Sequence, residues 1–200
     1  KVNRLFPRAF PASSIKVQLV LGTLCGVLNY LLIVIREFFK IPLFLDTVFT
    51  MLASFYGPAA GCIAAFLSHL FALLFDTNSN LLWMICSLTI VLVIRLFSRN
   101  GKPVSWTGIV WILILTVVLI TVEGTIIASL LYFTGADYLE PSSLSTSVFV
   151  LLTSGVSYFA VAFLVRLPVN LIDKTVSLIL ALLVYFLAAK IRRLYSKRKE

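Results

Sequence analysis

A handful of side chains able to do chemistry are set singly into a chain that is otherwise oily: Asp46, Asp76, Glu123, Asn170, Asp173 and Lys174, with Thr47 beside the first of them. Ionisable groups in or near lipid are costly unless they face a cavity, a partner or one another. Two kinds of chemistry suit such a set. Carboxylates, amides and a hydroxyl can hold a small polar solute, and the pair Asp46 and Asp76 could do acid–base work inside a membrane. The second would show as lost activity with binding retained in Asp46→Asn. Glu123 is flanked by Thr121, Gly124 and Thr125 with no neighbouring base to neutralise it, which favours a functional role. Asp173 and Lys174 either line the same pocket or satisfy each other and the headgroups.

No H-E-x-x-H, G-x-S-x-G or P-loop is present, and helical spacing gathers no Ser, His and carboxylate. The chain is therefore expected not to be an enzyme, and active transport would need a separate ATPase. Cys25, Cys62 and Cys86 lie singly in apolar segments, without the paired spacing of a metal site, and read as small hydrophobes. His69, the single histidine, cannot form a metal site unaided and reads as a hydrogen-bonded packing residue. No cofactor and no metal is expected.

The elements that must position these groups are membrane helices. The 200 residues are 60% hydrophobic and 12% charged, with mean hydropathy +1.06, and the apolar segments recur along the whole length. The formal charge of +9 resides at the two ends, since Lys1 to Lys16 and Lys190 to Glu200 hold the whole excess. The positive-inside rule then places both termini in the cytoplasm of a multi-pass protein of the cell's inner membrane. Anionic lipid is a sufficient partner for the basic tail, so no nucleic-acid role is expected. The organisation reads as a basic lead, 1–14, one transmembrane domain, 15–190, and a basic tail, 191–200. The chain opens on Lys1 without an initiator Met, so a short piece is expected to precede it.

The expected fold is an all-α polytopic bundle. Ser13 and Ser14 cap a first crossing over Ile15 to Ile35. It carries Gly22, Gly26 and Asn29 on one stripe, suited either to packing within the chain or to docking on a separate subunit. A hairpin follows: a short second helix, Leu43 to Tyr56, a Gly57-Pro58 break, and Ala59 to Phe75, bringing Asp46 and Asp76 to the same side. Further crossings are expected over Leu81 to Phe97, Thr107 to Thr134 and Leu171 to Ala189. Ser147 to Val165 is expected to fold back on the outer side, hinged at Gly155 and ended by Arg166 and Pro168, giving six crossings. If it crosses there are seven, and the basic tail lies outside. With six, the polar residues gather in the outer half around a pocket open to the exterior. Tyr132, Tyr138 and Tyr158 lie near it, able to stack on a ring or to anchor at the interface.

The run IPLFLDTVFTMLASFYGPAAGCIAAFLSH and the later LPVNLIDKTVSLILALLVY resemble the membrane-embedded substrate-binding (S) components of energy-coupling factor transporters, and the similar membrane input modules of some bacterial sensor proteins. The resemblance implies six helices with cytoplasmic termini and a vitamin-like solute held near the outer face. It also implies docking through small residues of the first helix, here Gly22 and Gly26, on a coupling membrane subunit driven by two cytoplasmic ATPases. Substrate binding would fall to Asp46, Thr47, Asp76, Glu123, Asn170 and Asp173, with the fold-back as a lid. A sensing module that reports the same ligand to a partner is the alternative, and a structural protein without ligand is a third.

Overall fold

The structure, a computed structural model, describes residues 14–41, 43–75, 81–98, 104–134, 151–153 and 155–197. The helices are α1 (Ile15–Phe39), α2 (Val48–Tyr56), α3 (Pro58–Phe75), a 3-10 turn (Leu81–Trp83) leading into α4 (Met84–Phe97), α5 (Trp106–Phe133) and α6 (Tyr158–Lys197). The basic lead, the expected outer turn beginning at Asp76, the inner loop around Gly101-Lys102-Pro103, and the outer loop with Asp137, Tyr138 and Glu140 lie outside the described residues. So does the start of the expected fold-back.

Long apolar runs make each of these segments helical, through the glycines of α1, α3 and α5 and past Pro168 in α6, and the stops are local. Lys40 closes α1 in the left-handed conformation, its N–H turned back on Arg36 and Glu37 carbonyls. Ser14 precedes α1 but makes no side-chain cap, contrary to expectation; only its carbonyl is used, by Gln18 N–H at 3.1 Å. Ser105 does cap α5, accepting from Gly108 N–H at 3.0 Å.

Four helices, α1, α3, α5 and α6, are long and apolar enough to cross a membrane. Large apolar side chains stand exposed along them, Val20, Leu24, Phe66, Val110, Val118, Leu164 and Ile179 among them, while the core between is narrow and rich in Ala. An oily exterior around a packed centre fits a multi-pass membrane protein. By the same length test α2 and α4 fall short, so helix length alone gives four crossings rather than six.

The chain nevertheless covers the bundle's height between α1 and α3 by another route. Gly57, at the end of α2, lies against the Gln18 side chain, near the start of α1. The other end of α2 meets Asn29, since Phe49 N–H donates to Asn29 Oδ1 at 2.9 Å. The rest of α1, from Asn29 to Phe39, rises about 15 Å further. Over that height the chain returns through Ile41 and residues 43–47 without helix, an unwound stretch that leads into the helical α2. The expected helix over Leu43 to Thr47 does not form, because Pro42 cannot donate and Leu45 adopts φ 50°.

The small-residue faces work inside the chain. A Cβ at Gly22 would stand 2.8 Å from the Ala60 carbonyl oxygen, and one at Gly26 would stand 2.8 Å from Leu67 Cβ, so α1 lies directly on α3. Helix α6 corrects the fold-back expectation. Residues from Tyr158 to Val165, read as the end of a lid, belong to the same 40-residue helix as the last crossing, with Pro168 inside it. A seventh crossing has no place in that continuous helix.

Candidate functional site

One face of α6 carries Arg166, Asn170, Asp173, Lys174 and Ser177, all buried. They recur at three- and four-residue spacing, which stacks them along a single stripe. A helix surrounded by lipid gains nothing from burying such groups unless they meet partners. The partners are the unwound segment, α2 and α5.

Lys174, 2% exposed, sits at the centre. Its Nζ lies 2.7 Å from Asp173 Oδ2, 3.2 Å from Asp46 Oδ1 and 3.1 Å from Thr47 Oγ1. Two of its three donors go to Asp46 and Thr47, while Asp173 Oδ2 is held as an ion pair. The Phe44 ring stands 5.9 Å away, on the same unwound stretch. Asp173 turns its other oxygen to the backbone, accepting from Leu45 N–H at 2.8 Å. The adjacent Asp46 carbonyl accepts from Asn29 Nδ2 at 2.6 Å, and the same Nδ2 reaches Thr50 Oγ1 at 2.8 Å. An amide and a carboxylate thus take up backbone groups that no helix pairs, as irregular backbone at membrane depth requires.

Of the residues expected to form the site, Asp46, Thr47 and Asp173 converge, and Lys174 joins them as their common counter-ion. Asn170 lies one turn from Asp173 and donates to Thr121 Oγ1 on α5 at 3.1 Å. Glu123 is held apart, accepting from Thr89 Oγ1 on α4 at 2.7 Å while its Oε2 is buried without a hydrogen-bond partner. Arg166 stacks over the Trp83 ring at 5.0 Å, next to Gly124. Asp76 lies outside the described residues. Gly22 and Gly26 are covered by α3.

Sequence reading missed the role of Asn29, which it placed on a stripe suited to packing or to docking. Its signal was present: a buried amide ending a glycine stripe has more hydrogen-bonding capacity than packing uses. His69 meets Ser87 Oγ at 2.9 Å, a side-chain bond joining α3 to α4. Tyr132 and Tyr158 stack on each other, centroids 4.1 Å apart.

Lys174 lies about 24 Å along α6 from Tyr158, and Asn29 about 21 Å along α1 from Ile15, at 1.5 Å per residue, so the cluster lies near the middle of the bundle's height. Arg36 pairs with Glu37 at the end of α1, and Arg95, near the end of α4, donates to the Ser98 carbonyl.

No protein-family model, curated protein or solved structure matches the chain.

Proposed function

We propose that the chain is the substrate-capture subunit of a membrane uptake system, holding a small vitamin-like solute where the unwound part of the second pass meets α6. The observation that carries this is the convergence of Asp46, Thr47 and Asp173 on Lys174 at a break in a membrane-spanning path. Broken helices at mid-depth are where transporters place their binding sites, because freed backbone and side-chain groups can turn to a guest. Asn170, one turn from Asp173 on α6, borders the same region.

In this reading the chain passes six times, with the unwound stretch plus α2 as the second pass and the 3-10 turn plus α4 as the fourth. Both ends are then cytoplasmic, in a bacterial inner membrane. Energy comes from a coupling membrane subunit and two ATPases. The glycine face of α1 is used against α3, so that subunit docks on the opposite face, along Val20, Leu24, Val27 and Leu31, which are exposed.

One observation favours sensing as a second reading. Helix α6 continues from Lys174 to Lys197, about 35 Å without a break. A rigid rod from the site to the far end of the bundle is suited to reporting occupancy to a partner.

Mass spectrometry of small molecules released from gently purified protein tests the proposal. Capture predicts a stoichiometric solute, lost in Asp46→Asn and Asn170→Ala. Protein free of any solute, together with uptake unaffected by both substitutions, would overturn it. Co-purifying ATPases separate transport from sensing.

A further inference from the structure

Among the described residues, Arg36, Arg95, Arg166 and Lys174 are the basic side chains that are not exposed. Arg36 pairs with Glu37, Arg166 rests on Trp83, and Lys174 meets Asp46 and Asp173. Arg95 has no such counterpart. Its hydrogen bond, from Nη1 to the Ser98 carbonyl, is long at 3.4 Å, and no carboxylate of the described residues lies within ion-pairing distance. Its other guanidinium nitrogens are open to the surroundings rather than sealed in the core.

The turns around it say what those surroundings are. On one side stands buried Val91, which packs on α3 so closely that a Cβ at Gly61 would lie 2.9 Å from its Cγ2. On the other side stand Leu92 and Leu96, both exposed. Arg95 therefore lies at the edge between the packed core and the oily exterior. Its height is set by α5, because Phe97 Cβ lies 3.8 Å from where a Cβ on Gly108 would be, which levels the last turn of α4 with the first turn of α5. Exposed Trp106 and Trp111 begin that helix, and tryptophans so placed mark headgroup depth.

A half-buried guanidinium at that depth, without a carboxylate and flanked by lipid-facing leucines, calls for an anion that arrives from the bilayer. A phosphate diester fits the guanidinium fork with two parallel hydrogen bonds. The Ser98 hydroxyl, one turn on, is buried without a partner and offers a further donor. A headgroup with a cation of its own would bring that cation against Arg95, so the net-anionic class is favoured.

We propose that Arg95 and Ser98, at the end of α4, hold the headgroup phosphate of an anionic phospholipid whose acyl chains run along Leu92 and Leu96. Free phosphate shares this chemistry, and the experiment separates the two sources.

The full chain in detergent is titrated at constant ionic strength with dihexanoylphosphatidylglycerol, dihexanoylphosphatidylcholine and sodium phosphate, following its unfolding temperature. Phosphatidylglycerol is expected to raise that temperature saturably, and the other two are expected to leave it unchanged. An equal rise with sodium phosphate would identify a free-anion site, and an equal rise with phosphatidylcholine would show no preference for anionic lipid; either overturns the assignment. In Arg95→Gln the half-saturating phosphatidylglycerol concentration should rise about 10-fold or more, as loss of charge-assisted hydrogen bonds implies. Lys16→Gln, which removes an exposed charge near the start of α1, should leave it unchanged. The same loss in both variants, or none in Arg95→Gln, would reduce the effect to diffuse attraction and refute the site.

Because Arg95→Gln can fail to fold, the wild-type protein is also cross-linked with phosphatidylglycerol carrying a diazirine near the carboxyl end of one acyl chain, and the adducts are mapped by peptide mass. Label concentrated on residues 92–98 supports the site. Label spread evenly over the exposed faces of α1, α5 and α6 overturns it.

Discussion

The backbone N–H of Leu45 ends on Asp173 Oδ1 at 2.8 Å, joining the unwound stretch before α2 to α6. Asp173 is fully buried and holds Lys174 with its other oxygen, so one carboxylate both pairs an unwound backbone and anchors the central ammonium. The bond and the ion pair stand or fall together.

Replacing Lys174 by Met should therefore be costly. It leaves Asp46 and Asp173 facing each other without a cation, a change worth about 3–5 kcal/mol when one partner of a buried pair is removed. The double change Asp173→Asn with Lys174→Met restores the wild-type net charge and should recover part of the loss. Thermal unfolding of the single and double variants in detergent checks this, and a double variant no better than Lys174→Met would refute the charge argument.

Asn29→Leu tests the other support of the unwound stretch. Asn29 is fully buried and makes three hydrogen bonds, two of them to backbone groups of Asp46 and Phe49. Each orphaned buried group costs about 1–3 kcal/mol, so the variant should lose about 3 kcal/mol. Hydrogen exchange at Phe49 should rise with it. Unchanged protection there would show that the amide is dispensable.

Gly22→Ala and Gly155→Ala should destabilise for different reasons. At Gly22 the new Cβ meets the Ala60 carbonyl oxygen at 2.8 Å, which forces α1 off α3 and costs about 1–3 kcal/mol. At Gly155 nothing stands within 4 Å, but φ is 81°, and the strain is worth about 1–2 kcal/mol. Only Gly22→Ala should weaken a disulfide engineered between α1 and α3, as read by its rate of formation.

Thiol labelling reads the packing directly. Cys62 is exposed on α3, whereas Cys25 and Cys86 are buried at 4% and 7%. A lipid-soluble maleimide should modify Cys62 in the folded protein and the other two only after unfolding, as peptide mass analysis would show. Rapid labelling of Cys25 would contradict the α1–α3 contact.

Much of this was readable from residue order. The helix over Pro58 to Phe75 and its break from α2 follow from Gly57-Pro58, and α4 and α5 end within a few residues of expectation because polar runs bound them. The second helix was overextended to Leu43 since Phe44, Leu45 and Asp46 give no helical stop of their own. What unwinds them is Asn29 and Asp173, which local pattern cannot place. Arg166 and Pro168 were read as a boundary because a charge and an imino acid usually interrupt a membrane helix. Here the arginine rests on Trp83 and the proline is carried within α6. Asp46, Thr47 and Asp173 were singled out by chemical type alone, whereas Lys174 was left between roles because its acceptors lie 127 and 128 positions away.

That sequence distance has a consequence for biogenesis. The groups that satisfy Leu45 and Asp46 come partly from α1, made before them, and partly from α6, made last. A ribosome delivering this chain releases the unwound stretch long before Asp173 exists to hold Leu45. The early hairpin must wait, half-settled, until the final helix arrives, so truncation before α6 leaves the unwound stretch without its latch.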